Sequence, residues 1–376
     1  MRYLAITLTA LVLIWIIWAK TGHTGELPEV SGYMSLTEEI QPLTNDSTRG
    51  NIIGIQPFML ETDYLKAERF YNKMDTYFSE ASAQGLILEN SIVLLPEYLG
   101  TWLVIADEKI SVAESSSLSA AMARLVLSNP ISIFQHFNFK AEESDKIAAT
   151  LFRMKAAKMA EIYADTFSRL AQEYQVHISA GSIILPASKI RGSKIEINSE
   201  ANLYNTSFLF LPDGNIHPNE VKKAFPIDSE HPFVTASKSS EIPQYQLPFG
   251  KVGVLVCADS WYPESYEAMK GVDIVLVNSY CAIDGAMNLP WAGYNGSAAP
   301  KDVDFTDMGS LTEHEAWLKY ALPGRLALSG ATVGANVFLR GRLWDLGTDG
   351  QPFFIRGGEL QHANPAEQGG IWSMQF

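Results

Sequence analysis

A near-continuous aliphatic run that stops at a cysteine constrains this chain more than any other feature. Residues 250–264 read Gly-Lys-Val-Gly-Val-Leu-Val-Cys-Ala-Asp-Ser-Trp-Tyr-Pro-Glu. Neighbouring as well as alternate positions of 252–256 are apolar, which is the pattern of a strand covered on both faces. The polar residues after Cys257 predict a turn opening a helix, whose first N–H groups favour negative charge beside the thiol. Two readings of Cys257 follow: a small apolar core cysteine, or a nucleophile delivered to a turn.

Strand and helix patterns alternate along the chain. Residues 51–58 read as a strand and 63–83 as an amphipathic helix, with Leu65, Phe70, Met74 and Phe78 near helical spacing. A buried strand is expected at 91–95, a helix over 144–174, and further strands at 177–184, 203–211, 252–256, 273–278 and 332–339. This order predicts a layered α/β or α-β-β-α domain over 51–376. The 103–143 segment, with Ile131, Ile133, Phe134, Phe137 and Phe139, reads as an extra helical layer, a lid, or a lipid-facing surface.

The N-terminus differs in kind. Residues 3–19 are apolar apart from Thr7 and Thr9, with Arg2 before them and Lys20 after. That length fits a short membrane span and exceeds a usual signal-peptide core of about 7–15 residues. Trp18-Ala19-Lys20-Thr21 offers no small-residue cleavage site, so an uncleaved transmembrane anchor over 1–20 is expected in preference to a signal peptide. Gly, Pro, Ser, Thr and acids fill 21–50, the composition of a solvated linker. Arg2 places the N-terminus inside and the domain on the non-cytoplasmic, periplasmic or extracellular, side.

Charge and cysteine content narrow the function. A net charge of -14 disfavours nucleic acid and anionic headgroups as electrostatic partners. The two cysteines, Cys257 and Cys281, can make one bridge at most, and seven scattered histidines lack metal-ligand spacing, so neither a metal nor a cofactor is expected.

Two further strand ends carry reactive groups: Leu94-Leu95-Pro96-Glu97-Tyr98, and the stretch from Pro212-Asp213-Gly214 through Glu220-Val221-Lys222-Lys223 to Glu230. Ligands of open α/β sheets gather at such ends. A free thiol is only a few per cent thiolate at neutral pH, so attack on an amide or nitrile carbon needs a base, a role that suits Glu97. The oxyanion so formed needs a cation. At about 4 Å and an effective dielectric near 20, a unit charge pair is worth on the order of 4 kcal/mol, and Lys223 is the candidate.

These segments together resemble the nitrilase (carbon–nitrogen hydrolase) superfamily over residues 51–354. Ile53-Gly54-Ile55-Gln56 is similar to its opening strand, Leu95-Pro96-Glu97 to its glutamate motif, and Tyr204-Asn205-Thr206 with Pro212-Asp213-Gly214 to its central hairpin. Lys223-Ala224-Phe225-Pro226 with Glu230 resembles the lysine motif, and 250–264 the nucleophile motif. Gly324-Arg325-Leu326-Ala327 through Asn336 and Asp349-Gly350 is similar to the closing segment.

The resemblance implies an α-β-β-α sandwich and a Glu97, Lys223, Cys257 triad. It also implies that Glu230 supports the lysine and that the Ala258 N–H helps hold the oxyanion. A homodimer is implied as well. Lys222 is a rival to Lys223, Cys281 is expected to be structural or to line a pocket, and 103–143 and 281–311 are longer than the family pattern. The reading that follows is a membrane-anchored amidase or nitrilase-type hydrolase acting on a small amide or nitrile. The alternatives are an N-acyltransferase of the apolipoprotein type and a non-catalytic binding protein of the same fold.

Overall fold

The computed structural model describes residues 2–23, 25–42, 48–138 and 143–376. Two six-stranded sheets dominate it. Their strands, in chain order, are β1 (Met34–Glu39), β2 (Asn51–Gln56), β3 (Ser91–Leu95), β4 (His177–Ala180), β5 (Leu209–Phe210), β6 (Gln244–Leu247), β7 (Gly250–Val256), β8 (Ile274–Ser279), β9 (Val333–Phe338), β10 (Phe353–Arg356), β11 (Glu359–Gln361) and β12 (Gly369–Gln375). The first sheet runs β1-β12-β2-β3-β4-β5, and the second runs β6 to β11 consecutively. Parallel pairing joins β2, β3 and β4 in one sheet and β7, β8 and β9 in the other.

Side-chain alternation explains the four layers. Ile92 and Leu94 of β3 share a core with Val252, Val254 and Val256 of β7 and with Ile274 and Leu276 of β8, so these faces meet between the sheets. Val93 and Leu95 face the other way and pack with residues of α2 (Ala67–Ala83) and of the long helix Lys146–Tyr174, such as Phe70, Met74 and Phe167. On the far side, Leu255, Val275 and Val277 pack with Tyr266, Met269 and Leu322. Each such side chain contributes roughly 1.5–3 kcal/mol by leaving water, which is why the central strands read as unbroken apolar runs. The long helix starts where the Asp145 carboxylate accepts hydrogen bonds from the N–H groups of Ile147 and Ala148, and stops at Gln175 in a left-handed conformation (φ 53°).

Several expectations change in detail. The strand expected over 177–184 is two strands, because Gly181 takes φ +72° and a Cβ there would lie 2.1 Å from the Pro96 carbonyl oxygen. Beyond it, Ile183–Pro186 leaves the large sheet and joins Leu203–Ser207 and Val221–Lys222 in a small three-stranded one. The 203–211 segment divides in the same way at Phe208. The stretch expected to be a linker contributes β1, parallel to β12, with Ile40 buried just beyond it. An edge strand half open to water carries mixed residues, so no apolar run announces it. The final strand β12 inserts between β1 and β2.

Residues Arg2–Lys20 form a helix, α1. Among the described residues, however, no helix is long and apolar enough to cross a membrane. The 103–143 segment is helical, as expected for an added layer, through α3 (Leu118–Ser128) and α4 (Pro130–His136), which precede the long helix, hereafter α5. Phe139 of its apolar cluster lies outside the described residues.

Candidate active site

The strand ends deliver an acid, a lysine and a thiol to one buried point. Glu97 lies two residues past β3, Cys257 follows β7 directly, and Lys223 follows Val221–Lys222. Lys223 Nζ donates to Glu97 Oε1 at 2.8 Å and to Glu230 Oε2 at 2.6 Å. Asn205 Nδ2 donates to Glu97 Oε1 and to Glu230 Oε1, both at 2.9 Å, and the Tyr98 hydroxyl reaches Glu230 Oε1 at 2.6 Å. The Cys257 thiol donates to the Tyr280 carbonyl oxygen at 3.8 Å and feels the charge of the nearby Glu97 carboxylate. Glu97, Lys223 and Glu230 are each 1% exposed.

Burial on that scale makes the charges decide the protonation states. Burial alone would lower Lys223, but the carboxylates of Glu230 and Glu97 outweigh it and hold the ammonium well above its ordinary range. Burial raises Glu230, yet Lys223 and the bonds from Tyr98 and the Ile227 N–H bring it below the usual carboxylate value. Glu97 goes the other way: burial raises it, the neighbouring Glu230 adds to the rise, and Lys223 only partly offsets both. Cys257 is pushed well up by burial and by the facing Glu97 carboxylate, so its resting form is the thiol. The arrangement therefore holds one permanent cation, one permanent anion and a second carboxylate able to accept a proton from sulfur.

The backbone around these groups is held in unusual conformations. Cys257 has φ +48° and Tyr98 has φ +62°, both in the left-handed region that residues with a Cβ rarely adopt. The Tyr98 N–H donates to the Ser182 hydroxyl at 2.9 Å. Asp259 accepts from the N–H groups of Ala224 and Phe225 at 2.9 Å each and of Val256 at 3.3 Å, fastening the lysine loop to the cysteine turn. Burial pushes its carboxyl up to about 7, against the opposing effects of Lys223 and these three donors. Asn278 of β8 donates to the Leu95 carbonyl and ties the two sheets together beside the site.

The structure thus brings together Glu97, Lys223, Glu230 and Cys257, with Ala258 next to the thiol at the start of a 3-10 turn, Cys257–Trp261. Lys222 points elsewhere: its Nζ lies 2.9 Å from Glu220 and over the Tyr204 ring. Cys257 and Cys281 are both free thiols, and Cys281 is pushed up to about 11 by burial. Cys281 belongs to the apolar cluster around Cys257, with Trp261, Trp291 and Phe338, so part of 281–311 lines the neighbourhood of the site. Among the described residues no group of His, Cys, Asp or Glu could hold a metal ion. Sequence reasoning gave no role to Tyr98, Asn205 or Asp259. Each sits within or beside a motif already singled out, but a hydrogen bond spanning 25 to 132 positions leaves no local pattern.

A four-layer α-β-β-α sandwich with its acid and its thiol at the ends of parallel strands and its lysine brought beside them from a small antiparallel sheet has the architecture of the nitrilase superfamily. The chain belongs to the carbon–nitrogen hydrolase family, whose model matches residues 52–299, and so to the enzymes acting on carbon–nitrogen bonds other than peptide bonds. It is similar to a probable nitrilase of Schizosaccharomyces pombe, at 30% identity over 114 residues; the match covers 30% of this chain and 37% of that relative's length. Among solved structures, it is similar to a single-site mutant of the amidase from Nesterenkonia sp. AN1 in complex with butyramide, with a TM-score of 0.54 and 14% identity over 89% of this chain and 94% of the other. A double mutant of the same amidase in complex with acrylamide gives a TM-score of 0.52 at 14% identity, covering 89% and 93%. At these identities the likeness is one of fold.

Proposed function

We propose that Glu97, Lys223 and Cys257 form a catalytic triad that cleaves the C–N bond of a small amide or nitrile through a thioester. The observation that carries this reading is the convergence of three buried groups: Lys223 Nζ donates to Glu97 Oε1 at 2.8 Å, and both charges act on the Cys257 thiol beside them. For an amide, Cys257 sulfur attacks the carbonyl carbon as its proton passes to Glu97. The oxyanion faces the Lys223 ammonium and the Ala258 N–H, one of the first N–H groups of a helical turn, which have no partner within it. Glu97 returns the proton to the departing ammonia. Water, deprotonated by Glu97, then releases the carboxylic acid and restores the thiol. Glu230 and Asn205 do not touch the reacting carbon in this scheme; they hold Lys223 and Glu97 in place.

The complexes of the Nesterenkonia amidase with butyramide and acrylamide support small amides as the first substrates to try. Cys257→Ala should abolish ammonia release from such amides; full activity without the thiol would end the reading.

We further propose that α1 attaches the enzyme to a membrane, with the catalytic domain on the non-cytoplasmic side. Its 19 residues measure roughly 28 Å at about 1.5 Å each, short of a hydrocarbon core of about 30 Å, so the support for attachment is the apolar side chains exposed along it from Leu11 to Trp18 rather than its length. Alkaline extraction of membranes should leave the full chain in the pellet. Release into the supernatant would contradict attachment.

A further inference from the structure

We infer that the catalytic domain does not hang free on α1 but rests on the bilayer through α3 and α4, with Leu127, Ile131 and Phe134 at the depth of the lipid headgroups. The inference builds on the proposed attachment through α1 and concerns a different part of the chain.

Helix α4 has no buried residue. Its Ile131 and Phe134, three apart and so on one face, are 72% and 79% exposed, and Leu127 at the end of α3 is 52% exposed. Large apolar side chains this open, side by side, mark a surface that meets something apolar.

The position of α1 identifies the occupant. Trp15 Nε1 of α1 donates to the Leu127 carbonyl oxygen at 3.1 Å, so the exposed residues of α3 and α4 continue the surface of α1. Apolar side chains of α1 are exposed at successive positions from Leu11 to Trp18, hence on all its sides. A protein partner covers one face of a helix, whereas lipid surrounds it. The end of α1 also carries the residues that settle at a membrane–water boundary. Trp15 and Trp18 lie near Lys20, and Lys109 of the domain reaches over the Trp18 ring at 3.8 Å while bonding the Trp18 carbonyl. Because Leu127 touches Trp15, α3 ends at that boundary and α4 lies along it.

Charge agrees with this placement. The chain carries 42 Asp and Glu residues and a net charge of -14, yet neither 2–20 nor 115–138 contains an acid. Both segments can therefore approach lipid phosphates without repulsion. The contact also reaches the candidate active site through packed groups. Trp344 Nε1 donates to Val112 just before α3, the Asp345 carboxylate accepts from the Leu118 N–H, and Trp344 packs on Trp102, which packs on Tyr98. A bilayer bound at α4 would thus fix the orientation of the catalytic centre to the membrane plane.

The test uses the full chain with Cys257→Ala and Cys281→Ala, reconstituted in phosphatidylcholine vesicles. A single thiol is introduced at Leu13→Cys, Phe134→Cys or Phe305→Cys and labelled with an environment-sensitive fluorophore. Phe305, 65% exposed in the 281–311 segment, is the control. With nitroxides carried on the lipid, labels at 13 and 134 should be quenched several-fold more than the label at 305, with 134 responding most to shallow nitroxides. Quenching at 13 with 134 matching 305 would overturn the docking while leaving the attachment standing. No quenching at 13 or 134 would remove both, and quenching at 134 without 13 would keep the surface and remove the anchor.

Discussion

Asp259, two residues beyond the cysteine, accepts a hydrogen bond at 2.9 Å from the backbone N–H of Ala224, the residue after Lys223. Through this contact the turn that carries the thiol and the loop that carries the ammonium are positioned as one unit. Asp259→Ala leaves the N–H groups of Ala224, Phe225 and Val256 without their acceptor in a buried place. We expect a loss of about 2–4 kcal/mol in urea denaturation, and a kcat reduced at least tenfold in protein that still folds. Unchanged kcat would show that the two segments hold their places without it.

Lys223 is the only cation against two buried carboxylates in the described site, so its loss should be costly twice over. Lys223→Met should destabilise the fold by about 3–5 kcal/mol, because Glu97 and Glu230 are left facing each other, and should remove turnover as well. Glu97→Gln keeps the shape but cannot accept a proton, and should lower kcat by about 10²–10⁴ with a smaller change in stability. Comparing the thermal unfolding and turnover of the two variants separates these effects.

The acid side of the pH–rate profile should report Glu97. Burial, helped by the charge of Glu230, raises its pKa, and the reaction needs the ionised form, so activity falls as pH drops through that raised value. The limb should therefore lie above the ordinary carboxylate value of 4.5. Glu230→Gln removes a like charge and should move the limb to lower pH, while a limb that does not move would assign it to another group.

Much of this geometry was legible in the sequence, and what was not has a physical cause. The runs 91–95 and 252–256 announced strands covered on both faces, and Glu97, Lys223 and Cys257 stand where strands stop; packing and chemistry leave their marks locally at such places. Strand β1 did not show because an edge strand needs few apolar residues, and the break at Gly181 did not show because it answers the Pro96 carbonyl, 85 positions away. Tyr98 and Asn205 were passed over for the same reason: what they do depends on Glu230, which only the folded chain brings near.

Stability should also depend on pH through Glu313, which burial raises to about 7 against a hydrogen bond involving Trp317. The folded chain then holds a proton that the unfolded chain has released between pH 4.5 and about 7. This contribution is fully present below 4.5 and is lost as pH rises through 7, with a slope of at most about 1.4 kcal/mol per pH unit. Asp259, raised by burial to a similar value, adds to the same window. Midpoints of thermal unfolding between pH 4.5 and 7.5 should fall with pH, and Glu313→Gln should flatten the fall without abolishing it.

In the proposed reaction Cys257 carries the acyl group. Intact-mass analysis of the full chain, quenched in acid during turnover of butyramide or another small amide, tests it directly. The native chain should gain the mass of the amide less ammonia, and Cys257→Ala should gain nothing. Turnover by Cys257→Ala at the native rate, with no adduct on either chain, would contradict it.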